Sequence, residues 1–182
     1  MALSPTGGQF ASSLNDKLDH LYLFESATCT PRRVLSGHRG FVKALGFTPD
    51  GTKLLTAGDD HTVLVWDMRL QSVPLPDAIK NETSAAKLWD TLATGKADAA
   101  YLAMARLARE PDAAFKMAKM RLKPAAKDAP ESDATNLADA RAVELLEALD
   151  TDESRAFLKE LAGGHADAFR TQEAKRARER HK

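Results

Sequence analysis

The stretch from Gly37-His38 to Trp66-Asp67 constrains the fold of this chain more than any other part of it. Val42-Lys43-Ala44-Leu45-Gly46-Phe47 reads as a strand of mostly apolar and small residues, the composition expected where a strand is buried on both faces. Thr48-Pro49-Asp50-Gly51 follows as a turn. Pro presets φ, Asp bonds back to its own backbone, and Gly tolerates a positive φ. Lys53 to Ala57 supplies a second strand. Gly58-Asp59-Asp60-His61 reverses the chain again, and Thr62 to Trp66 returns as a third strand rich in β-branched residues.

The same pattern occurs once before, in part. Leu3-Ser4-Pro5-Thr6-Gly7 matches Phe47-Thr48-Pro49-Asp50-Gly51, Phe10-Ala11-Ser12 matches Leu54-Leu55-Thr56, and Asn15-Asp16 matches Asp59-Asp60. Leu21-Tyr22-Leu23-Phe24-Glu25 then matches Val63-Leu64-Val65-Trp66-Asp67, which sets a period of about 42–44 residues. The earlier copy departs twice: Leu18-Asp19-His20 lengthens the turn, and Phe24 stands in place of Trp. Arg32-Arg33-Val34-Leu35 reads as an outer strand leading into the Gly37-His38 corner. Strands are expected near residues 9–13, 20–25, 32–36, 41–47, 53–57 and 62–67.

An early Gly-His, a late Trp-Asp and this period resemble the WD40 repeat, one blade of a β-propeller. The resemblance implies four antiparallel strands per blade, with residues 42–47 innermost. It also implies a buried hydrogen-bonded chain of His, Ser or Thr, Asp and Trp, matched here by His38, Thr56, Asp60 and Trp66. Indole only donates, hydroxyl and imidazole do both, and carboxylate only accepts, so the four suit one another. They are expected as a structural tetrad rather than as catalytic groups. In the earlier copy Phe24 has no N–H, so the chain through Ser12 and Asp16 is expected to be broken or rewired.

Propellers close with roughly 4–8 blades, and this chain holds about one and three-quarters. Met1 stands where the family usually has a Val heading the innermost strand, with no Gly-His before it. The expectation is a C-terminal piece of a longer protein with further blades upstream, an internal GTG codon having been read as the start. The alternative is a short protein that oligomerises through its blades. Two blades leave sheet faces and edges uncovered, so the isolated chain is expected to be marginally stable, to self-associate or to be partly molten.

After Asp67 the β-branched residues thin out and Ala, Lys, Arg, Asp and Glu take over. The fold class expected is therefore β + α: the last one to two blades of a WD40 propeller, then a separate all-α module. The expected divisions are 1–70 for the partial propeller, 71–82 for a linker containing Pro74 and Pro76, 83–165 for the helical module and 166–182 for a charged tail, helical or disordered. Leu88, Trp89 and Leu92 share a helix face ending at Gly95, a C-cap. Ala100, Tyr101, Met104 and Leu107 mark a second helix, and Pro111 opens a third carrying Phe115, Met120 and Leu122. Residues 123–133, with Pro124 and Pro130, read as a flexible break. Leu137, Val143, Leu146 and Leu149 mark a fourth helix; Phe157, Leu158 and Leu161 mark a fifth, ended by Gly163-Gly164. Leu88-Trp89 through Pro124, with Ala140-Arg141 through Asp150, resembles the helical extension after WD40 propellers in large planctomycete-type bacterial proteins. Such proteins often carry a kinase-like or sigma-factor-like segment far upstream.

Twenty-six Lys and Arg balance twenty-six Asp and Glu, so no global field draws the chain to nucleic acid or to a charged membrane. No apolar run is long enough for a membrane span, and a single Cys29 excludes an intrachain disulfide. A cytoplasmic location is the default expectation. His38, Asp59, Asp60 and His61 resemble a metal cluster only until the blade pattern accounts for His38 and Asp60. Cys29, near His20 and His38, has no nucleophile motif around it, and Gly51-Thr52-Lys53 lacks phosphate-loop spacing. The tail from Arg170 to Lys182 mixes both charges without aromatics and reads as a solvated, frayed helix. No catalytic, cofactor or metal residue is expected. The function expected is a non-enzymatic scaffold whose partners are other proteins. The alternative is a regulatory or docking segment of a larger kinase-like or sigma-factor-like protein.

Overall fold

Strand β1 (Ala2–Leu3), β2 (Gln9–Ser13), β3 (His20–Glu25) and β4 (Pro31–Ser36) form one antiparallel sheet in sequence order. Strands β5 (Val42–Phe47), β6 (Lys53–Gly58) and β7 (Val63–Asp67) form a second. The computed structural model describes residues 1–13, 20–127 and 132–180. Asn15-Asp16 and the lengthened turn at Leu18-Asp19, as well as Pro130, lie outside the described residues. The described chain divides into two compact units, Met1–Ser72 and Val73–Lys182, one of sheets and one of helices. The fold class is mixed β + α.

The internal repeat is reproduced in the strand register. Phe10 faces Phe24 and Ser12 faces Tyr22 in the first sheet. Their counterparts pair identically in the second, Leu54 with Trp66 and Thr56 with Leu64. The alternate row behaves the same way: Ala11 with Leu23 and Ser13 with Leu21, then Leu55 with Val65 and Ala57 with Val63. A period-2 side-chain pattern permits this only if no residue is gained or lost along the paired strands. The edge strands β1 and β5 lie next to each other. Ala11, Leu21, Leu23 and Leu35 are buried on the first sheet, and Leu54 and Thr56 on the second.

One reading of this unit needs correction. Strand β5 is not buried on both faces: Lys43 and Ala44 are exposed and its other residues are half-buried. Alternation on the neighbouring strand gives the reason, since Leu54 and Thr56 are buried while Leu55 between them is exposed. The second sheet thus has one covered face. In the first sheet Phe24 stacks on Phe10, ring centroids 5.0 Å apart, where the second sheet has an indole. The buried polar group there is instead an ion pair closing the β3–β4 hairpin. Arg32 Nη2 lies 3.0 Å from Glu25 Oε1, and Thr28 Oγ1 donates to Glu25 Oε2.

The helical unit contains α1 (Asp77–Lys80), α2 (Ala85–Thr94), α3 (Ala97–Leu107), α4 (Pro111–Arg121), α5 (Asp133–Leu149), α6 (Asp152–Leu161) and α7 (Phe169–Arg180). Ser84, Ser132 and Thr151 cap α2, α5 and α6 by accepting from backbone N–H groups in the first turn, as short hydroxyl side chains do. Leu88, Trp89, Leu92, Tyr101, Met104, Leu145, Leu146, Phe157 and Leu161 form its core. Buried Ala103, Ala114, Ala142 and Ala174 keep side-chain bulk low between helices.

Several details differ from the apolar periodicity. On α4 the buried residues are Ala114, Met117 and Ala118, while Met120 is 65% exposed; small Ala side chains were overlooked in favour of larger ones. Leu137 is half-buried, and Leu145 joins the buried row of α5. Gly95 caps α2 in an extended conformation rather than a left-handed one. It has no room for a Cβ, which would sit 2.5 Å from the Thr91 carbonyl oxygen. The span 71–82 contains α1, and Arg106 and Arg109 donate to the carbonyls of Lys80 and Val73. Within 123–127, Lys123 and Ala125 accept from Arg170 and from the His165 N–H.

The basic tail is the largest departure. Helix α7 buries Thr171, Ala174 and Ala177 and packs on α5 and α6. Arg170 lies 2.8 Å from Asp139, and Arg180 forks onto Glu147 at 2.8 and 2.7 Å. Both carboxylates are on α5, more than thirty residues earlier in the chain, so a local charge count could not reveal them.

Candidate functional site

The polar side chains of the second sheet converge at its Gly37-His38 corner. Gly37 allows a close approach there: a Cβ would lie 3.0 Å from both Leu64 Cδ1 and Trp66 Cη2. His38 follows, buried, with Nε2 2.8 Å from Thr56 Oγ1. Trp66 Nε1 donates to the same hydroxyl at 2.9 Å. His38 Nδ1 lies 3.1 Å from Asp60 Oδ2. A neutral imidazole carrying its proton on Nδ1 satisfies every link: indole donates to hydroxyl, hydroxyl to Nε2, and Nδ1–H to carboxylate. His38, Thr56, Asp60 and Trp66 are thus brought together.

Asp60 does more than receive the imidazole. Arg39 N–H donates to Oδ2 at 2.7 Å, and Thr62 donates to Oδ1 through its N–H at 3.0 Å and its hydroxyl at 2.8 Å. These donors, the Arg39 amide foremost, hold its carboxyl well below the usual carboxylate range. Thr62 was missed as a member of the network, and only its position two residues after Asp60 marked it as an Asx-turn partner. Gly58 was also missed. A Cβ there would come within 2.7 Å of His38 Nδ1 and 2.8 Å of Asp60 Oδ1. A second polar knot lies at the β5–β6 turn. Asp50 accepts from the Thr48 and Thr52 hydroxyls and from Thr52 N–H, which lowers its carboxyl to about 2.

Beside the network the surface is open. Phe41 is exposed, its carbonyl accepts from Asp59 N–H at 3.0 Å, and Lys43 Nζ lies 5.1 Å from its ring centroid. Lys43 also reaches Asp59 at 3.4 Å, and His61 is exposed in a left-handed conformation at φ 62°. Cys29 is exposed, donating weakly to the Ser26 carbonyl. Among the described residues no cluster of three His, Cys, Asp or Glu is arranged to hold a metal ion, and no helix is long and apolar enough to cross a membrane.

Residues 29–67 match the family described as WD domain, G-beta repeat. This segment is a WD40 repeat. The match takes in β4 to β7 and all four members of the network. The chain is also similar in part to known proteins. The 66 kDa stress protein of Physarum polycephalum is 28% identical over 53% of this chain and 17% of its own length. WD repeat-containing protein 1 of Bos taurus is 33% identical over 38% of this chain and 12% of its own. Target of rapamycin complex subunit LST8 of Saccharomyces cerevisiae is 39% identical over 29% of this chain and 18% of its own. The chain therefore spans less than a fifth of each of these relatives. WD40 proteins are generally non-catalytic interaction scaffolds, and the repeat here uses its one His–Asp pair to hold its own backbone.

Proposed function

We propose that the WD40 unit serves in a non-enzymatic protein–protein interaction scaffold, docking a partner protein at the rim formed by Phe41, Lys43, Asp59 and His61. One observation carries the reading: the polar groups that resemble catalytic residues are engaged internally, while the loops they brace leave an aromatic ring and both charges facing solvent. Loops held on a rigid frame are the usual place for binding residues. A relative that is itself named as a complex subunit supports the same class of role.

Replacing Phe41 with a photoreactive phenylalanine in cells tests this. The expected result is a defined covalent adduct with a protein, lost when Lys43→Glu is added and the thermal transition stays unchanged. An adduct pattern indifferent to Lys43, or none above that of a control position such as Lys53, would overturn it.

A further inference from the structure

Residues 113–127 carry five cations, Lys116, Lys119, Arg121, Lys123 and Lys127, and no carboxylate, in a chain whose charges balance overall. Arg121 is held by Asp90 at 3.2 Å. The four lysines are exposed, and among the described residues none of them is ion-paired. Elsewhere in the helical unit Arg106, Arg155, Arg170, Arg176 and Arg180 each meet a carboxylate. The helix dipole favours cations in the last turn of α4, which accounts for Lys119 and Arg121. It does not account for Lys116, a turn earlier, or for Lys127, beyond the helix. Lys116 and Lys119 also stand three residues apart, a spacing at which like charges repel.

Lys116, Lys119 and Met120 share the face of α4 opposite its buried Ala114, Met117 and Ala118. Met120 is 65% exposed amid the lysines, and Met adapts readily to varied apolar partners. Lys119 Nζ lies 5.7 Å from the Phe115 ring centroid and 5.8 Å from that of Phe157, which places its ammonium. Beyond α4 the Lys123 carbonyl accepts from Arg170 and the Ala125 carbonyl from the His165 N–H. The backbone between Lys123 and Lys127 is thus anchored.

We propose that this face docks an acidic segment of a partner protein, with carboxylates on Lys116, Lys119, Lys123 and Lys127 and an apolar side chain on Met120. Two features favour a peptide over a phosphate backbone. Every unpaired cation of the face is Lys, a point charge, whereas bidentate recognition of phosphate falls to Arg. The exposed Met at its centre suits an apolar side chain, which a phosphate backbone does not offer. One Met is also too little apolar area to seat the helix in a bilayer. The face shares no residue with the Phe41 rim, so the two proposals fail independently.

Fluorescence anisotropy of the 182-residue chain with a labelled synthetic peptide of Glu-Glu-Leu repeats tests it. The expected result is binding that a Gln-Gln-Leu peptide does not show. It should weaken about tenfold in the Lys116→Glu, Lys119→Glu double variant. Lys80→Glu with Lys96→Glu, the same charge change elsewhere in the helical unit, should leave it unaltered. Met120→Ser should weaken the Glu-Glu-Leu peptide and spare a Glu-Glu-Ser one. Should the charge reversal lose helical circular dichroism, Lys116→Gln with Lys119→Gln takes its place, with a smaller loss of binding. Equal binding of the Gln-Gln-Leu peptide, indifference to the lysines, or an equal response of both acidic peptides to Met120→Ser would overturn the proposal. So would lysine-dependent binding of a single-stranded oligonucleotide, or of phosphatidylserine vesicles, that is tighter than binding of the peptide.

Discussion

Thr56 links Trp66 to His38, accepting from the indole N–H and, with the imidazole proton on Nδ1, donating to Nε2. Thr56→Val keeps the shape but strands a buried indole N–H and a buried imidazole nitrogen. The expected cost is about 1–3 kcal/mol in urea denaturation, with Thr56→Ser recovering most of it. Asp60 contributes to the acid limb. Its folded carboxyl lies below its unfolded value, chiefly through the Arg39 amide, so its contribution is present above about pH 4 and is lost as pH falls towards the folded value. Asp60→Asn should therefore be less stable than the parent at pH 7, and the gap should narrow steadily below about pH 4. A gap that stays constant with pH would show that the charge of Asp60 is immaterial.

Helix α2 ends without a left-handed cap, and its last carbonyls are met from another element. Arg141 on α5, buried, donates through Nη1 to the carbonyls of Leu92 at 3.0 Å and Gly95 at 2.9 Å. A charged donor on otherwise orphaned carbonyls relieves the end of the helix and fits the sign of its dipole. Arg141→Met retains the apolar stem and removes those donors. A loss of about 1.5–3 kcal/mol is expected, with amide exchange accelerating first at the C-terminal turn of α2. Unchanged exchange there would show that the guanidinium acts only through packing.

The two tryptophans report separately on the two units, Trp66 on the second sheet and Trp89 in the helical core. Each unit has its own buried apolar set, so each should unfold as its own cooperative step. In a Trp89→Phe background, Thr56→Val should lower the midpoint read from Trp66. In a Trp66→Phe background, the Trp89 midpoint should not respond to Thr56→Val. A common shift of both probes would mean that the units melt as one.

Strands and turns were legible because they follow local rules, whereas the His38–Thr56–Asp60–Trp66 convergence was legible through the resemblance to the WD40 repeat. Alternation fixes which side chains share a face, and Pro-Asp-Gly fixes the turn. Helix existence was legible from apolar spacing, and Pro111 announces a helix start. What lay beyond the sequence was decided by neighbours distant in the chain. Aliphatic residues at matching register positions are buried as Leu21 and Leu23 but exposed as Val63 and Val65. Arg170 and Arg180 read as solvent charges until α5 brings Asp139 and Glu147 against them. Sequence determined the local chemistry, and tertiary structure alone decided what each face and charge would meet. Burial and ion pairing depend on three-dimensional proximity, which no local pattern encodes.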